Sequence, residues 1–381
     1  MKLLKATLLI AGTTIGGGML ALPILTASLG LVPALFLYLV CCLVMMATGL
    51  ILLDVSLWYS EETNLLTLAK RTLGPVGEIC TLLLYFFLFY SLMTAYIAGV
   101  GELLGTFIPM SSSFLKTMAV LMVFPFLLGG TGVVGGLNNV LMGLLFISYL
   151  AFIVLGLPII NTEHFKLFDL SQIPVALPVI FTAFSYQGTL PSVIHYLKRD
   201  RKLVRKAIVM GTLIPLVVYI FWQLVVIGIV PREGAHGLNE AMHKGNTAMV
   251  PLMHWIQSPT LDMFGWLFGF AALVTSYLGV GLGLFDFIND GMRSRGLSVG
   301  KLPALLLALV PPLLINLTYP GLFLKALDVA GGIGCALLLG LLPIFMAWTR
   351  KGPVSISKYI LWALALFLSF EVIIELIKIF S

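Results

Sequence analysis

Apolar residues run through this chain in long stretches separated by short polar ones, a pattern produced neither by amphipathic soluble helices nor by alternating strands. A bilayer crossing takes about 20 predominantly apolar residues. The stretches near 3–30, 31–58, 75–107, 115–131, 137–160, 173–197, 204–230, 259–289, 301–318, 322–348 and 354–379 therefore predict about eleven membrane helices. Two of these stretches argue against continuous helix. The first contains Ala11-Gly12-Thr13-Thr14-Ile15-Gly16-Gly17-Gly18-Met19, and each glycine costs about 1 kcal/mol relative to alanine in a helix interior. The sixth contains Ala183-Phe184-Ser185-Tyr186-Gln187-Gly188-Thr189-Leu190-Pro191. Irregular backbone at membrane depth survives only where protein or an aqueous cavity satisfies it. Both breaks are therefore expected to surround a ligand, although glycines can also serve close helix packing.

The two breaks lie five spans apart, and an odd number of crossings reverses the direction of equivalent helices. Residues 1–160 and 173–348 are accordingly expected to form two halves of opposite orientation, with 354–379 as an additional helix. The fold class is an all-α polytopic membrane protein with a 5+5 inverted repeat. Paired interrupted segments in such halves point to a transporter site at the repeat interface. Residues 62–74 have helical apolar spacing and a closing Gly74, which predicts a short helix on the cytoplasmic interface. Residues 231–258, with Asn239, His243, Asn246 and His254, are expected outside, capping the mouth.

Composition agrees: 60% of residues are hydrophobic, 10% charged, and the mean hydropathy of +1.09 excludes a soluble core. Lys2 and Lys5 before an apolar run imitate a leader peptide, but apolar segments continue to the end, so the first is expected to be a retained span. The net charge of +6 is dispersed over loops, with no aromatic-interleaved basic domain to bind nucleic acid. It sets orientation instead. Sixteen of the 22 Lys and Arg fall on one side, leaving Lys116, Lys166, Arg232, Lys244, Lys325 and Lys378 on the other. The positive-inside rule then places the N-terminus in the cytoplasm and the C-terminus outside. The loop Lys198-Arg199-Asp200-Arg201-Lys202 is within reach of membrane lipid headgroups. Cys41, Cys42, Cys80 and Cys335 lack metal-site spacing and read as small packing residues. The acids within or near spans are Asp54, Glu102, Asp286, Asp290, Asp328, Glu371 and Glu375. They are functional suspects by default, with Asp54, Asp286 and Asp290 placed to pair with loop cations. A channel would show symmetric polar rings, and an intramembrane enzyme a metal triad or a nucleophile with its base. Neither arrangement is present; Ser192 and His195 are only neighbours on a helix face.

Four segments together resemble the hydroxy and aromatic amino acid permeases, which include bacterial tyrosine and tryptophan transporters. They are Ala11-Gly-Thr-Thr-Ile-Gly-Gly-Gly-Met-Leu-Ala-Leu-Pro23, Ala95-Tyr-Ile-Ala-Gly-Val-Gly-Glu-Leu-Leu104, Pro178-Val-Ile-Phe-Thr-Ala-Phe-Ser-Tyr-Gln-Gly-Thr-Leu-Pro-Ser192 and Thr275-Ser-Tyr-Leu-Gly-Val-Gly-Leu-Gly-Leu-Phe-Asp286. The resemblance implies eleven spans and the LeuT-like inverted-repeat fold of the amino acid, polyamine and organocation superfamily. It also implies cation-coupled import of an aromatic amino acid across a bacterial inner membrane, with no cofactor beyond a coupling ion, Na+ or H+.

A zwitterion suits the first break. Amides at the start of a half-helix attract carboxylate, and Gly16, Gly17 and Gly18 permit close approach. By resemblance, the Thr14 and Phe184 carbonyls receive the ammonium. Tyr96, Phe184 and Tyr186 are the rings expected to enclose an aromatic side chain, and Ser185 and Gln187 the groups to bond a phenol or indole N–H. Thr275 and Ser276 resemble the hydroxyl pair that sodium-coupled members combine with first-helix carbonyls, here Gly12 and Ile15. Two positions depart from relatives with a basic residue in the fifth helix and a His before the sixth-helix glycine: this chain has Phe146 and Gln187. Neither carries a proton, which tilts the expectation towards sodium, with Glu102 the first proton carrier to test otherwise.

Overall fold

The computed structural model describes residues 2–59, 64–166, 169–293 and 300–380, with 290–293 described by backbone alone. The first segment forms helix α1, Lys2–Thr14, then breaks. A 3-10 turn, Gly17–Leu20, and a short α2, Leu22–Thr26, carry the chain on. Helix α3, Leu31–Leu57, follows Gly30, whose φ of 90° needs a residue without a Cβ. Helix α4, Leu65–Gly105, bends at Gly74, φ 77°, just before Pro75. Then come α5, Ser112–Gly129, and α6, Thr131–Gly156. The sixth segment divides into α7, Ile173–Ala183, and α8, Leu190–Tyr196, followed by α9, Arg201–Ile229. Short α10, Leu238–Lys244, and α11, Met249–Trp255, precede α12, Pro259–Arg293, and α13, Lys301–Thr318. Helix α14, Leu322–Val329, continues as a π-helical stretch, Ala330–Leu341, into α15, Leu342–Trp348, and the chain closes with α16, Lys358–Phe380.

Among the described residues, ten helical segments are long and apolar enough to cross a membrane. The broken first segment adds a further apolar stretch whose pieces are each too short to qualify. Its Ile10, Met19 and Leu22 are fully buried, whereas Phe146, Leu366 and Phe380 point out of the bundle. Apolar side chains cover both the interior and the outer wall, as lipid requires. Helix α1 packs on α9, α12 on α4 and α6, and both α7 and α16 on the π-helical stretch and on each other.

Several expectations need correction. The loop expected at 132–136 is helical; the turn between α5 and α6 is the single residue Gly130, φ 76°. The expected helix at 62–74 is present from Leu65 as the first arm of α4, capped by the Asn64 side chain accepting from the Thr67 amide at 2.8 Å; Glu62 and Thr63 lie outside the described residues. Lys116, expected on the outer side at the start of the span 115–131, is buried in α5 and donates to the Asn316 carbonyl at 3.0 Å. Lys378 lies within α16, as the span 354–379 implied. Cys41, Cys42 and Cys335 are buried, but Cys80 is exposed. Asp54 pairs with Arg201 at 2.6 Å, as its position suggested, while the side chain of Asp290 lies outside the described residues.

Candidate functional site

Both breaks arise where the helix ladder runs out of suitable backbone. After Thr14 the ladder stops at Ile15, whose amide still reaches the Ala11 carbonyl at 2.8 Å, and Gly16 adopts an extended conformation. In the sixth segment α7 ends at Ala183, and Pro191 fits the first turn of α8, where its missing N–H costs nothing. The tertiary fold sets the two breaks against each other. A Cβ on Gly18 would lie 3.4 Å from the Cα of Ala183.

A single side chain joins them. The Tyr219 hydroxyl, on α9, lies 2.7 Å from the Thr14 carbonyl and 2.8 Å from the Ala183 carbonyl. A hydroxyl has one proton, so it satisfies one of these acceptors fully or shares itself between both. One turn on, Trp222 Nε1 donates to the Met19 carbonyl at 2.9 Å. Neither residue was anticipated from the sequence. The available signal was Thr212, Tyr219 and Gln223 recurring on one face of an otherwise apolar helix, and such intramembrane polar stripes face the bundle interior.

The anticipated residues divide into two groups. Around the glycine run, the Gly17 amide donates to Ser276 Oγ at 3.0 Å. A Cβ on Gly17 would sit 2.8 Å from Tyr96 Cε1, and one on Gly16 would meet Ser276 Oγ at 2.0 Å. The Tyr96 hydroxyl faces that of Ser276. Phe184 is fully buried, its ring edge-to-face with Tyr219 at 5.1 Å between centroids. Thus Gly16, Gly17, Gly18, Thr14, Tyr96, Phe184 and Ser276 form one constellation, with no formal charge on any of these side chains.

Of the other anticipated residues, Tyr186 and Gln187 turn to α3, and Ser185 and Thr275 bond their own helices. Tyr186 donates to the Met45 carbonyl of α3 at 3.2 Å, and Gln187 Nε2 donates to Thr48 Oγ1 at 2.9 Å. Gly49 gives Tyr186 its room: a Cβ there would be 1.9 Å from the Tyr186 hydroxyl. Ser185 Oγ donates to the Thr182 carbonyl at 2.8 Å, and Thr275 Oγ1 to the Ala271 carbonyl at 2.8 Å, each back into its own helix. A Cβ on Gly12 would meet the Met142 methyl at 2.9 Å, and Ile15 is partly buried. Glu102 accepts from the Thr247 amide at 3.0 Å and so anchors the segment between α10 and α11. Phe146 is 61% exposed, so the position where a basic residue was considered faces away from the breaks.

Connections close over both ends. At one end the Ala248 amide donates to the Leu20 carbonyl at 3.0 Å and Ser28 Oγ to Asn239 Oδ1 at 3.0 Å. At the other, Arg201 bonds Asp54 and Ser355, and Trp58 Nε1 donates to the Pro353 carbonyl at 3.0 Å. A cavity of about 450 Å³ beside that second end, lined by Arg201, Lys202, Arg205 and Pro353–Ser355, shares no residue with the breaks. Among the described residues no group of three His, Cys, Asp or Glu is placed to hold a metal ion.

The arrangement has relatives. The chain is 32% identical over 368 residues to tyrosine-specific transport system 1 of Haemophilus influenzae, covering 95% of this chain and 91% of that one. It is 28% identical over 398 residues to the tryptophan-specific transport protein of Shigella flexneri, covering 100% and 95%. Its fold resembles the manganese transporter of Eremococcus coleocola, with a TM-score of 0.64 at 14% identity over 98% of this chain and 85% of that one; at that identity the likeness concerns fold alone. These relatives are transport proteins, not enzymes. The model of the tryptophan/tyrosine permease family matches residues 1–380, and the chain belongs to that family.

Proposed function

We propose that this protein is a cation-coupled secondary transporter that imports an aromatic amino acid, tyrosine first and tryptophan second, by alternating access. The observation that carries the reading is the meeting of two helix breaks at Tyr219, with backbone acceptors on one side and a glycine run on the other. The carboxylate is held at the start of the turn after Gly16, where unpaired amides and the local dipole favour an anion. The Gly17 amide is already taken by Ser276, so Gly16 and Gly18 are the donors the ligand uses. The ammonium takes the Thr14 and Phe184 carbonyls. Tyr96 and Phe184 supply ring faces, each worth about 0.5 to 1.5 kcal/mol beyond burial.

The two breaks belong to inverted halves, residues 1–160 and 173–348, in a bacterial inner membrane with the N-terminus inside. A cation drives uptake. The sodium candidate combines the Thr275 and Ser276 oxygens with the Gly12 and Ile15 carbonyls, and the proton candidates are intramembrane carboxylates, the partly buried Glu102 among them. The tying of Glu102 to Thr247 supports an anchoring role for it instead.

Counterflow in proteoliposomes tests the reading. Vesicles loaded with unlabelled tyrosine should take up labelled tyrosine transiently, and external tyrosine or tryptophan should compete where lysine and glutamate do not. Competition by a charged amino acid with none from aromatics overturns the assignment.

A further inference from the structure

Helix α16 carries Glu371, Glu375 and Lys378 at positions i, i+4 and i+7, which places them on one face. Lys378 Nζ donates to both oxygens of Asp328 on α14, at 2.9 and 3.1 Å, and to Glu375 Oε2 at 2.6 Å. Asp328 and Lys378 are partly exposed and Glu375 is buried. Glu371 lies deeper, about 13 Å along the helix from Phe380 at 1.5 Å per residue. It is fully buried, and neither of its carboxyl oxygens has a hydrogen-bond partner. The titratable and charged groups facing it are Asp328, Glu375 and Lys378, with Cys41 on α3.

Among the described residues here, three carboxyl groups share one ammonium. Asp328 and Glu375 already divide it between them. An unpartnered carboxylate anion in this surrounding would carry the full cost of lost hydration, whereas the neutral acid carries only that of a polar group. We propose that the face of α16 packed on the π-helical stretch, joined to α14 through Lys378 and Asp328, is a proton-binding site, with Glu371 holding the proton as a carboxylic acid and releasing it during the transport cycle. Asp328 and Lys378 at the partly exposed end, then Glu375, form the row by which the proton reaches it.

The site is wired to the break in the sixth segment. Asp328 follows Leu327, whose carbonyl accepts from Thr182 Oγ1 at 2.9 Å, and Thr182 precedes Ala183 at the end of α7. The segment against which both α16 and α7 pack is π-helical over Ala330–Leu341. Charge on the α16 face is thus felt through α14 by the half-helix that borders the proposed substrate gap. This second half of the inference rests on the transport reading; proton binding at Glu371 does not.

The full chain in proteoliposomes separates the two. Infrared difference spectra between low and high pH should contain the carbonyl stretch of a protonated carboxylic acid that is missing in Glu371→Gln. Absence of any such band in the native protein overturns the proposal. Glu371→Gln should keep tyrosine counterflow but lose accumulation driven by an inward proton gradient, which supports about tenfold accumulation per pH unit for each coupled proton. Undiminished proton-driven accumulation in the variant overturns the coupling role. Should Glu371→Gln fail to fold, Glu375→Gln decides: it should move the pH at which the Glu371 band disappears, and an unmoved midpoint overturns the shared site. A native protein with the band but no counterflow of tyrosine sinks the transport reading alone.

Discussion

Tyr219 stands between the carbonyls of Thr14 and Ala183 with one proton for two acceptors. Removing it as Tyr219→Phe leaves both buried carbonyls without that donor, at about 1 to 3 kcal/mol for an unsatisfied buried group. An ammonium brings three donors, so in the proposed site bound substrate repairs part of this loss. The variant should therefore melt lower than the native protein when empty, yet show a larger substrate-induced rise. Thermal shift with and without tyrosine measures both; loss of the substrate-induced rise would mean that the hydroxyl itself holds the ligand. The glycine run was legible in the sequence because three adjacent glycines in a membrane span have few uses. Tyr219 was not, since a tyrosine in an apolar helix has many possible neighbours and only the bundle chooses among them. Gln187 illustrates the converse: its place in the sixth break was plain, but its amide is directed to Thr48 by the packing of α3.

Among the helices, the contact of α7 with the π-helical stretch is the tightest constraint on the broken sixth segment. A Cβ on Gly331 would lie 1.7 Å from the Pro178 carbonyl oxygen, a backbone atom that cannot rotate away. Gly331→Ala should force the two elements apart and destabilise the protein by about 1 to 3 kcal/mol, the usual range for overpacking. Gly132 on α6 is the control, because a Cβ there meets nothing within 4 Å. Gly132→Ala should leave the melting temperature unchanged or slightly raised, as alanine favours helix. Equal melting of the two variants would contradict the packing. Helix positions were legible from apolar length, and Gly74 marked the bend in α4 correctly. The α5–α6 boundary was misplaced, since the apolar stretches leave residues 132–136 between two spans, whereas helix runs from Thr131 through Gly132, Gly135 and Gly136. Backbone hydrogen bonds unsatisfied in lipid outweigh the modest propensity cost of glycine.

For the whole molecule, the charge asymmetry of the loops makes a directional statement that an impermeant thiol reagent can check. In a Cys80→Ser background, where the remaining cysteines are buried, Glu233→Cys should label in intact cells and Lys202→Cys only after permeabilisation. The reverse pattern would invert the assigned topology. In the proposed orientation the end of α16 lies outside, and the same labelling experiment tests that placement of Lys378 and Asp328.

The sequence by itself made the apolar spans and the two breaks legible, because burial in lipid imposes length and composition rules on each segment separately, and its four motif segments carried the resemblance to the family. It also singled out Gly16, Gly17, Gly18 and Ser276 as residues of consequence. Only the tertiary structure decided that Tyr219 bridges the breaks, that Tyr186 and Gln187 bond to α3, that Lys116 is buried, and that Glu371 lies deep without a hydrogen-bond partner. Those facts depend on which faces of separate helices meet. In a chain where nearly every face is apolar, helical periodicity carries little information about that choice, and close packing and hydrogen-bond geometry make it instead.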